Sequence, residues 1–428
     1  MAVDNRPLEH IEHGIPPVFD ERSEVLVLGT MPSPKSRETA FFYGHPQNRF
    51  WRVLAALFDE PVPEGNAERT DLLLRHRIAL WDVLASCDIR GATDASIANP
   101  QANDLSRVLD AAPIRQVFCT GATAARYYGC LCEPRTGLAA VTLPSPSPAN
   151  AAWSLPRLVE AYRPLAAAVT PFEPPVLPVP EVVALEQAIA AAGTPLDALM
   201  RRAGRFLAYE ARKMVEETQV DGSMGADDGK APGPVVIFCG NGNNGGDGWV
   251  AAEYLDAWDI PVRVVAALAP EALTAEPARS AALRAVEALG PRSSVSVAPS
   301  EEALRDLLGL DDADLPGRTD SAPAVAGPRP ALAIDAILGT GFAHATVRAP
   351  FDGWIRAINE ARAAGVPVLA ADTPSGLSAQ TGETAADAVT ADATLTMIVP
   401  KPGLLTPEGR ARCGRIRVAP LAYIEPLL

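Results

Sequence analysis

The chain has 428 residues, 48% hydrophobic and 21% charged, which allows two domains of ordinary size and excludes a disordered chain. Its net charge of −15 is uneven: residues 1–172 carry 16 Lys/Arg against 19 Asp/Glu, and residues 173–428 carry 21 against 33. That balance excludes a protein that binds nucleic acid through overall basic excess, leaves room for a local basic patch in the first half, and points the second half toward a small molecule.

No apolar run reaches the roughly 18–20 residues of a membrane span. The opening MAVDNRPLEHIEHG lacks a signal-peptide pattern. Among the six cysteines only Cys130-x-Cys132 is closely spaced, and no second pair completes a zinc site. The expectation is a soluble cytoplasmic protein with reduced thiols and no membrane partner.

In chain order, Val25–Gly29 reads as a buried strand, followed by helices near 48–58 and 104–112 and a strand at Gln116–Cys119. Prolines at 171, 174, 175, 178 and 180 sustain neither a helix nor a central strand, and favour an extended spacer. This divides the chain into residues 1–168, a linker at 169–180 and residues 181–428. A helical stretch at Glu181–Glu216 then precedes strands at Val235–Cys239, Val262–Leu268, Ala331–Ile334, Val366–Ala371 and Ala393–Val399. Strands separated by helices imply an α/β fold with a parallel sheet covered on both faces. The Gly/Asp-rich segment 219–233 and the acidic segment 300–330 are expected to be solvated, mobile surface insertions.

The strongest local signal is VVIFCGNGNNGGDGWVAAEYL at 235–255, a strand, a Gly/Asn loop and a helix expected to begin near Gly248. Glycines there are expected to take positive φ and approach a ligand, and the helix N-terminus offers free N–H groups to a phosphate. The loop lacks the P-loop lysine and the dinucleotide glycine spacing. Asp335 before Gly339-Thr340-Gly341, and Asp372 before Thr-Pro-Ser375-Gly376, end two further strands. Carboxylates and glycine turns at the carboxyl edge of a parallel sheet mark a binding site.

These motifs, with Thr194-Pro-Leu, Leu199-Met200-x-x-Ala203-Gly204, Thr381-Gly382 and Pro400-Lys-Pro-Gly403, resemble the NAD(P)H-hydrate epimerase family, the YjeF N-terminal domain, over about residues 181–423. The resemblance implies a Rossmann-like three-layer αβα domain that converts (R)-NADHX and (R)-NADPHX to their S forms. Asn243, Asn244, Gly245, Gly246 and Asp247 would hold substrate, as would Gly339, Thr340, Gly341, Phe342, Ala343, His344 and Ala345. Asp372 would contact the reactive part of the substrate. Asn244, Asp335 and Ser375 would ligate a potassium ion, one per site. Asp372 is the expected acid/base group for departure and return of the hydroxyl or opening of the hydrated ring, with hydrogen bonding alone as its other reading. Such domains often dimerise. No dehydratase domain follows before Leu428, so a separate dehydratase is expected to act downstream.

The first half carries Gly29-Thr-Met31-Pro32-Ser-Pro after its strand, then Phe42-Tyr43-Gly-His45-Pro-Gln-Asn48-Arg-Phe-Trp51, and later Leu143-Pro-Ser145-Pro-Ser147-Pro-Ala149-Asn150. Taken singly, these are core aromatics and plain loops. Together with Leu80-Trp-Asp-Val83, Cys87 and Asp94-x-Ser96-Ile97 they resemble the uracil-DNA glycosylase superfamily, nearest its hypoxanthine-DNA (deoxyinosine) branch, over about residues 15–168. A second three-layer αβα domain is implied, acting on a nucleotide flipped from damaged DNA and needing no cofactor. The mismatch-specific branch positions water with an asparagine where this chain has Met31; resemblance to the hypoxanthine branch implies that the asparagine of its Gly-His-Pro-x-Asn segment, here Asn48, would instead orient water or hydrogen-bond the base. Tyr43 or Phe42 would stack on the base, His45 would donate to it or serve the turn, and Ser147 and Asn150 would press on phosphates. A uracil or xanthine preference, and a non-catalytic DNA-binding or scaffolding domain, stay open at this point.

Overall fold

A computed structural model describes residues 7–91, 94–220, 233–310 and 329–428. These divide into two compact units, one running to Glu173 and including Tyr423–Pro426 and Leu428, the other spanning Pro174–Ala422 with Leu427. Both are α/β.

The first unit contains β1 (Glu9–Glu12), β2 (Val25–Gly29), β3 (Ile78–Asp82), β4 (Leu84–Ile89), β5 (Ala98–Ala102), β6 (Gln116–Thr120) and β7 (Ala140–Leu143). Four of them form a parallel sheet in the order β3-β2-β6-β7, with Val25 opposite Ile78 and Gln116. The others make an antiparallel ribbon, β1-β4-β5. Every residue of β2 and β3 is buried, as expected for strands with both faces covered. Around the parallel sheet lies one core, in which Phe50, Phe118, Tyr128 and Tyr162 are each at most 1% exposed. The helix Phe50–Leu57 follows the Asn48 segment and turns Phe50, Trp51, Val53 and Leu54 into this core.

The second unit opens with helices Val179–Ala191 and Leu196–Val220, so the expected single helical stretch is broken at the Gly193-Thr-Pro turn. Its strands are β8 (Val235–Cys239), β9 (Val262–Ala266), β10 (Ser294–Val297), β11 (Leu332–Ala336), β12 (Val368–Ala371), β13 (Ala393–Met397) and β14 (Arg415–Ala419). All pair in parallel, in the order β10-β9-β8-β11-β12-β13-β14. The chain starts at β8, runs outward to β10, and returns to β11 on the other side of β8. Strand order therefore reverses between β8 and β11, the position at whose carboxyl ends open parallel sheets bind ligands.

Two further expectations change. The helix after β8 begins at Asn243, not near Gly248, and Gly240, Gly242, Gly245, Gly246 and Gly248 are absent from the positive-φ residues. Contact space, not backbone freedom, requires most of these glycines. A Cβ at Gly245 would stand 1.9 Å from the Gly240 carbonyl oxygen, and one at Gly246 would stand 2.6 Å from the Met200 side chain. Secondly, segment 300–330 is not wholly an insertion: Glu301–Leu308 is a helix, capped by Ser300 accepting from the Ala303 N–H, with Leu304 and Leu308 buried. Residues 311–328, and 221–232 of the other expected insertion, lie outside the described residues.

Candidate active sites

In the first unit a cavity of about 670 Å³ opens at the carboxyl ends of β2, β3 and β6. Gly29, Met31, Pro32, Tyr43, Asn48, Ser147 and Asn150 all stand in its wall. His45 does not line it; its side chain lies exposed and its Nδ1 accepts the Gln47 N–H (3.1 Å). Asn48 accepts the Phe50 N–H, the first of the following helix, at Oδ1 (2.9 Å), and its Nδ2 makes no hydrogen bond among the described residues. Tyr43 sits at φ 51°, stacks on Phe50 at 3.9 Å, and shares a hydrogen bond with Thr120 (2.8 Å). Burial pushes its phenol well above the usual range. Phe42 reaches the wall although it is 2% exposed, while Phe41 packs on Trp51 in the core.

The loop carrying Ser147 and Asn150 is held from an unexpected side. Arg49 donates to the carbonyls of Pro146 (3.2 Å), Ser147 (2.5 Å), Asn150 (3.0 Å) and Trp153. Asn150 Nδ2 donates to the Ser145 carbonyl (2.9 Å). Asn48 and Arg49 thus tie the cavity wall to the distant loop through consecutive residues. Two carboxyls complete the wall. Asp82 accepts from His13 Nε2 (2.9 Å) in a pair whose side chains are 1% and 7% exposed. Burial pushes Asp94 above the usual carboxyl range, against a hydrogen bond from Thr30 (3.4 Å) and with the charge of Asp82 adding to the rise. His13 and Arg49 carry no local sequence signal, because their partners lie 69 and 97–104 residues away.

In the second unit the expected motifs follow the carboxyl ends of β8, β11, β12 and β13. Asn243 is exposed at the start of its helix, and Asn244 is half-buried behind it. Asn244 Nδ2 donates to the Leu338 carbonyl (3.0 Å), while its buried Oδ1 has no partner. Asp335, fully buried at the end of β11, accepts from Ser375 Oγ (2.6 Å), the Ser375 N–H (2.7 Å) and the Ile337 N–H (3.2 Å). Burial still raises its carboxyl to about 6. Gly339, Thr340 and Gly341 lead into Phe342, which is buried and meets the exposed His344 ring edge-on at 5.9 Å. Ala343 and Ala345 are exposed on the same loop.

Asp372 follows β12 at φ 62°. Its Oδ1 accepts from Lys401 Nζ (2.6 Å), the Met397 N–H (3.1 Å) and Thr396 Oγ1 (3.2 Å). Lys401 is 1% exposed and also donates to Thr396 Oγ1 (3.0 Å) and the Met397 carbonyl (2.8 Å). Burial pushes Asp247 well above the usual range, and the charges of Asp372 and Glu186 push it further. Glu186 is raised by burial and by Asp372. Lys401 bonds Asp372 directly, and its charge partly offsets the rise at Asp247 and Glu186. Lys401 and Glu186 were not singled out as site residues, although Lys401 lies inside a quoted motif.

Residues 16–166 match the family described as Uracil DNA glycosylase superfamily, and residues 196–403 the family described as YjeF-related protein N-terminus. The "Hypoxanthine DNA glycosylase" of Methanosarcina acetivorans is 34% identical over 145 residues, 34% of this chain and 91% of that protein. The "NAD(P)H-hydrate epimerase" of Pirellula staleyi is 32% identical over 245 residues, 57% of this chain and 90% of that protein. The chain belongs to both families. A "Bifunctional NAD(P)H-hydrate repair enzyme Nnr" of Salinibacter ruber is 34% identical over 250 residues, and the chain spans only 40% of its length. No single described helix is long and apolar enough to cross a membrane.

Proposed function

We propose that the chain is a two-site repair enzyme: the second unit epimerises (R)-NADHX and (R)-NADPHX to their S forms, and the first unit releases hypoxanthine from deoxyinosine-containing DNA. The observation that carries the first activity is Asn48 in the cavity wall with its amide nitrogen unengaged. A flipped nucleotide enters the cavity, the C1′–N9 bond breaks with its electron pair going to the base, and water oxygen bonds to C1′. Charge grows on the purine as the bond breaks. Nδ2 of Asn48 donates to the departing purine, a role that suits an amide whose oxygen already serves Phe50. Removing such a donor costs on the order of 100-fold in rate, so Asn48→Ala is expected to lose most hypoxanthine release. Unchanged release by that variant would refute the assignment.

The second activity rests on the Asp372–Lys401 pair. Lys401 and the Met397 N–H engage Oδ1, and Oδ2 accepts no hydrogen bond among the described residues, so it faces the substrate. Loss of the hydroxyl as water takes one proton, and re-addition of water to the opposite face returns one. Asp247, whose neutral form burial favours, is suited to give that proton, and Asp372 to accept the one released as water re-adds; exchange with solvent restores both groups. The buried, unpartnered Oδ1 of Asn244, with Asp335 and Ser375, forms an all-oxygen donor set that fits potassium. When bound, the ion supplies a fixed positive charge beside the Gly339–Ala345 loop. Asp372→Asn retaining near-normal epimerisation would remove Asp372 as the proton carrier.

The S product suits a separate dehydratase. The reading extends to a homodimer, on the family resemblance, and to cytoplasmic residence, which is supported by the free cysteines among the described residues, five of them buried.

A further inference from the structure

Hydrolysis of an N-glycosidic bond needs an acceptor for one proton of the attacking water. Met31 offers none, and Asn48 Oδ1 is already engaged by the Phe50 N–H. The cavity wall holds two carboxyls, Asp82 and Asp94.

Their surroundings differ. Asp82 ends β3, and its Oδ2 accepts from His13 Nε2 (2.9 Å). The Ile15 N–H donates to His13 Nδ1 (3.3 Å), so the ring proton sits on Nε2, facing the carboxylate. Phe42 and Trp81 flank the ring at 6.1 and 6.2 Å and fix its plane. Oδ1 of Asp82 has no hydrogen-bond partner among the described residues. It lies against Gly29, where a Cβ would stand 2.2 Å away. The glycine of the first motif therefore keeps space for this oxygen at the strand ends. Asp94 instead bonds Thr30 and is favoured in its neutral form.

We propose that Asp82, aimed by His13, is a catalytic residue of base release: its Oδ1 accepts a proton from the attacking water as the water oxygen bonds to C1′. The proposal rests on the glycosylase reading above. The C1′–N9 electron pair leaves with the base, and the base takes up a proton from solvent or from Asp94. His13 is a positioning residue that acts through Asp82. A carboxylate beside the sugar also counters the positive charge that grows there, which an amide in the same place does not. The titratable and charged groups around Asp82 are His13 from the segment before β2, the Tyr43 hydroxyl, Asp94 with Arg126 beyond it, and Arg37 in the same wall.

The test is single-turnover release of hypoxanthine from a duplex with one deoxyinosine, by the full chain, with duplex affinity measured on the same samples. Asp82→Asn is expected to lose about 100-fold or more in release and to keep duplex affinity within about threefold. His13→Ala is expected to lose about tenfold or more, and His13→Gln to recover most of it because its amide N–H reaches the same oxygen. Release by Asp82→Asn within about threefold of the unaltered rate overturns the proposal while leaving the glycosylase reading intact. If Asp82→Asn no longer binds duplex, His13→Ala decides: a loss of about tenfold or more with duplex affinity kept supports the role, and release within about threefold of the unaltered rate overturns it. Failure of the unaltered protein to release any base removes the glycosylase reading and this proposal together.

Discussion

Asp372 adopts a left-handed backbone conformation, φ 62°, that costs a residue with a Cβ roughly 1 kcal/mol or more. Donors from Lys401, Met397 and Thr396 converge on one of its oxygens and offset that cost. Lys401→Met removes the positive partner and leaves a part-buried carboxylate facing Asp247 and Glu186. It is expected to lower stability by about 2–4 kcal/mol and epimerisation by about 100-fold, read by denaturant titration and by the rate of R-to-S conversion. Asp335 supplies a pH prediction. Its folded carboxyl is raised to about 6, above its ordinary value of 3.8, so the folded protein holds a proton that the unfolded chain has released. Stability contributed by this group is present below pH ~4 and is lost as pH rises toward ~6, by up to about 3 kcal/mol. Potassium favours the ionised form, so thermal melts above pH ~6 are expected to rise with potassium and not with an equal concentration of a bulky organic cation. Asp335→Asn is expected to remove both the pH slope and the potassium effect.

Helix packing carries the next scale. The helix Leu196–Val220 crosses the helix Asn243–Ala257 so closely that a Cβ at Gly204 would stand 2.3 Å from Val250 Cβ and 2.8 Å from the Asp247 carbonyl oxygen. Neither neighbour is the flexible end of a side chain. Gly204→Ala is therefore expected to force the helices apart, destabilise the second unit by about 1–3 kcal/mol, and shift Asp247 within its site. A melt unchanged by that substitution would contradict the tight crossing. The same packing explains what was legible beforehand. Val25–Gly29 and Val235–Cys239 announced themselves because buried parallel strands are continuous apolar runs. The edge strands Ser294–Val297 and Arg415–Ala419 did not, since their half-exposed, polar residues lack that signature. The helix start at Asn243 was misplaced because glycine is a poor helix former, a preference overridden here by contacts that admit no side chain. Site residues that end strands were readable from local motifs, whereas His13 and Arg49 act on partners far along the chain and leave no local pattern.

At the scale of the whole chain, two α/β units of different family carry separate chemical equipment and different charge. The first half keeps near-neutral balance and a cavity with Asn48, Asp82 and Asp94 in its wall; the second, strongly acidic, holds the Asp372–Lys401 pair and the oxygen atoms of Asn244, Asp335 and Ser375. Nothing in either mechanism requires the other site. Asn48→Ala is expected to leave epimerisation within about twofold of the unaltered rate, and Asp372→Asn to leave base release equally unaffected, as expected for independent sites. Loss of both activities on either substitution would mean that the sites are coupled. The most direct measurement incubates the purified full chain with duplexes carrying a single hypoxanthine, uracil or xanthine and scores abasic sites, with Asn48→Ala alongside. The account predicts abasic sites in the hypoxanthine duplex that depend on Asn48; their absence from every duplex would contradict it and leave the first unit without a catalytic role.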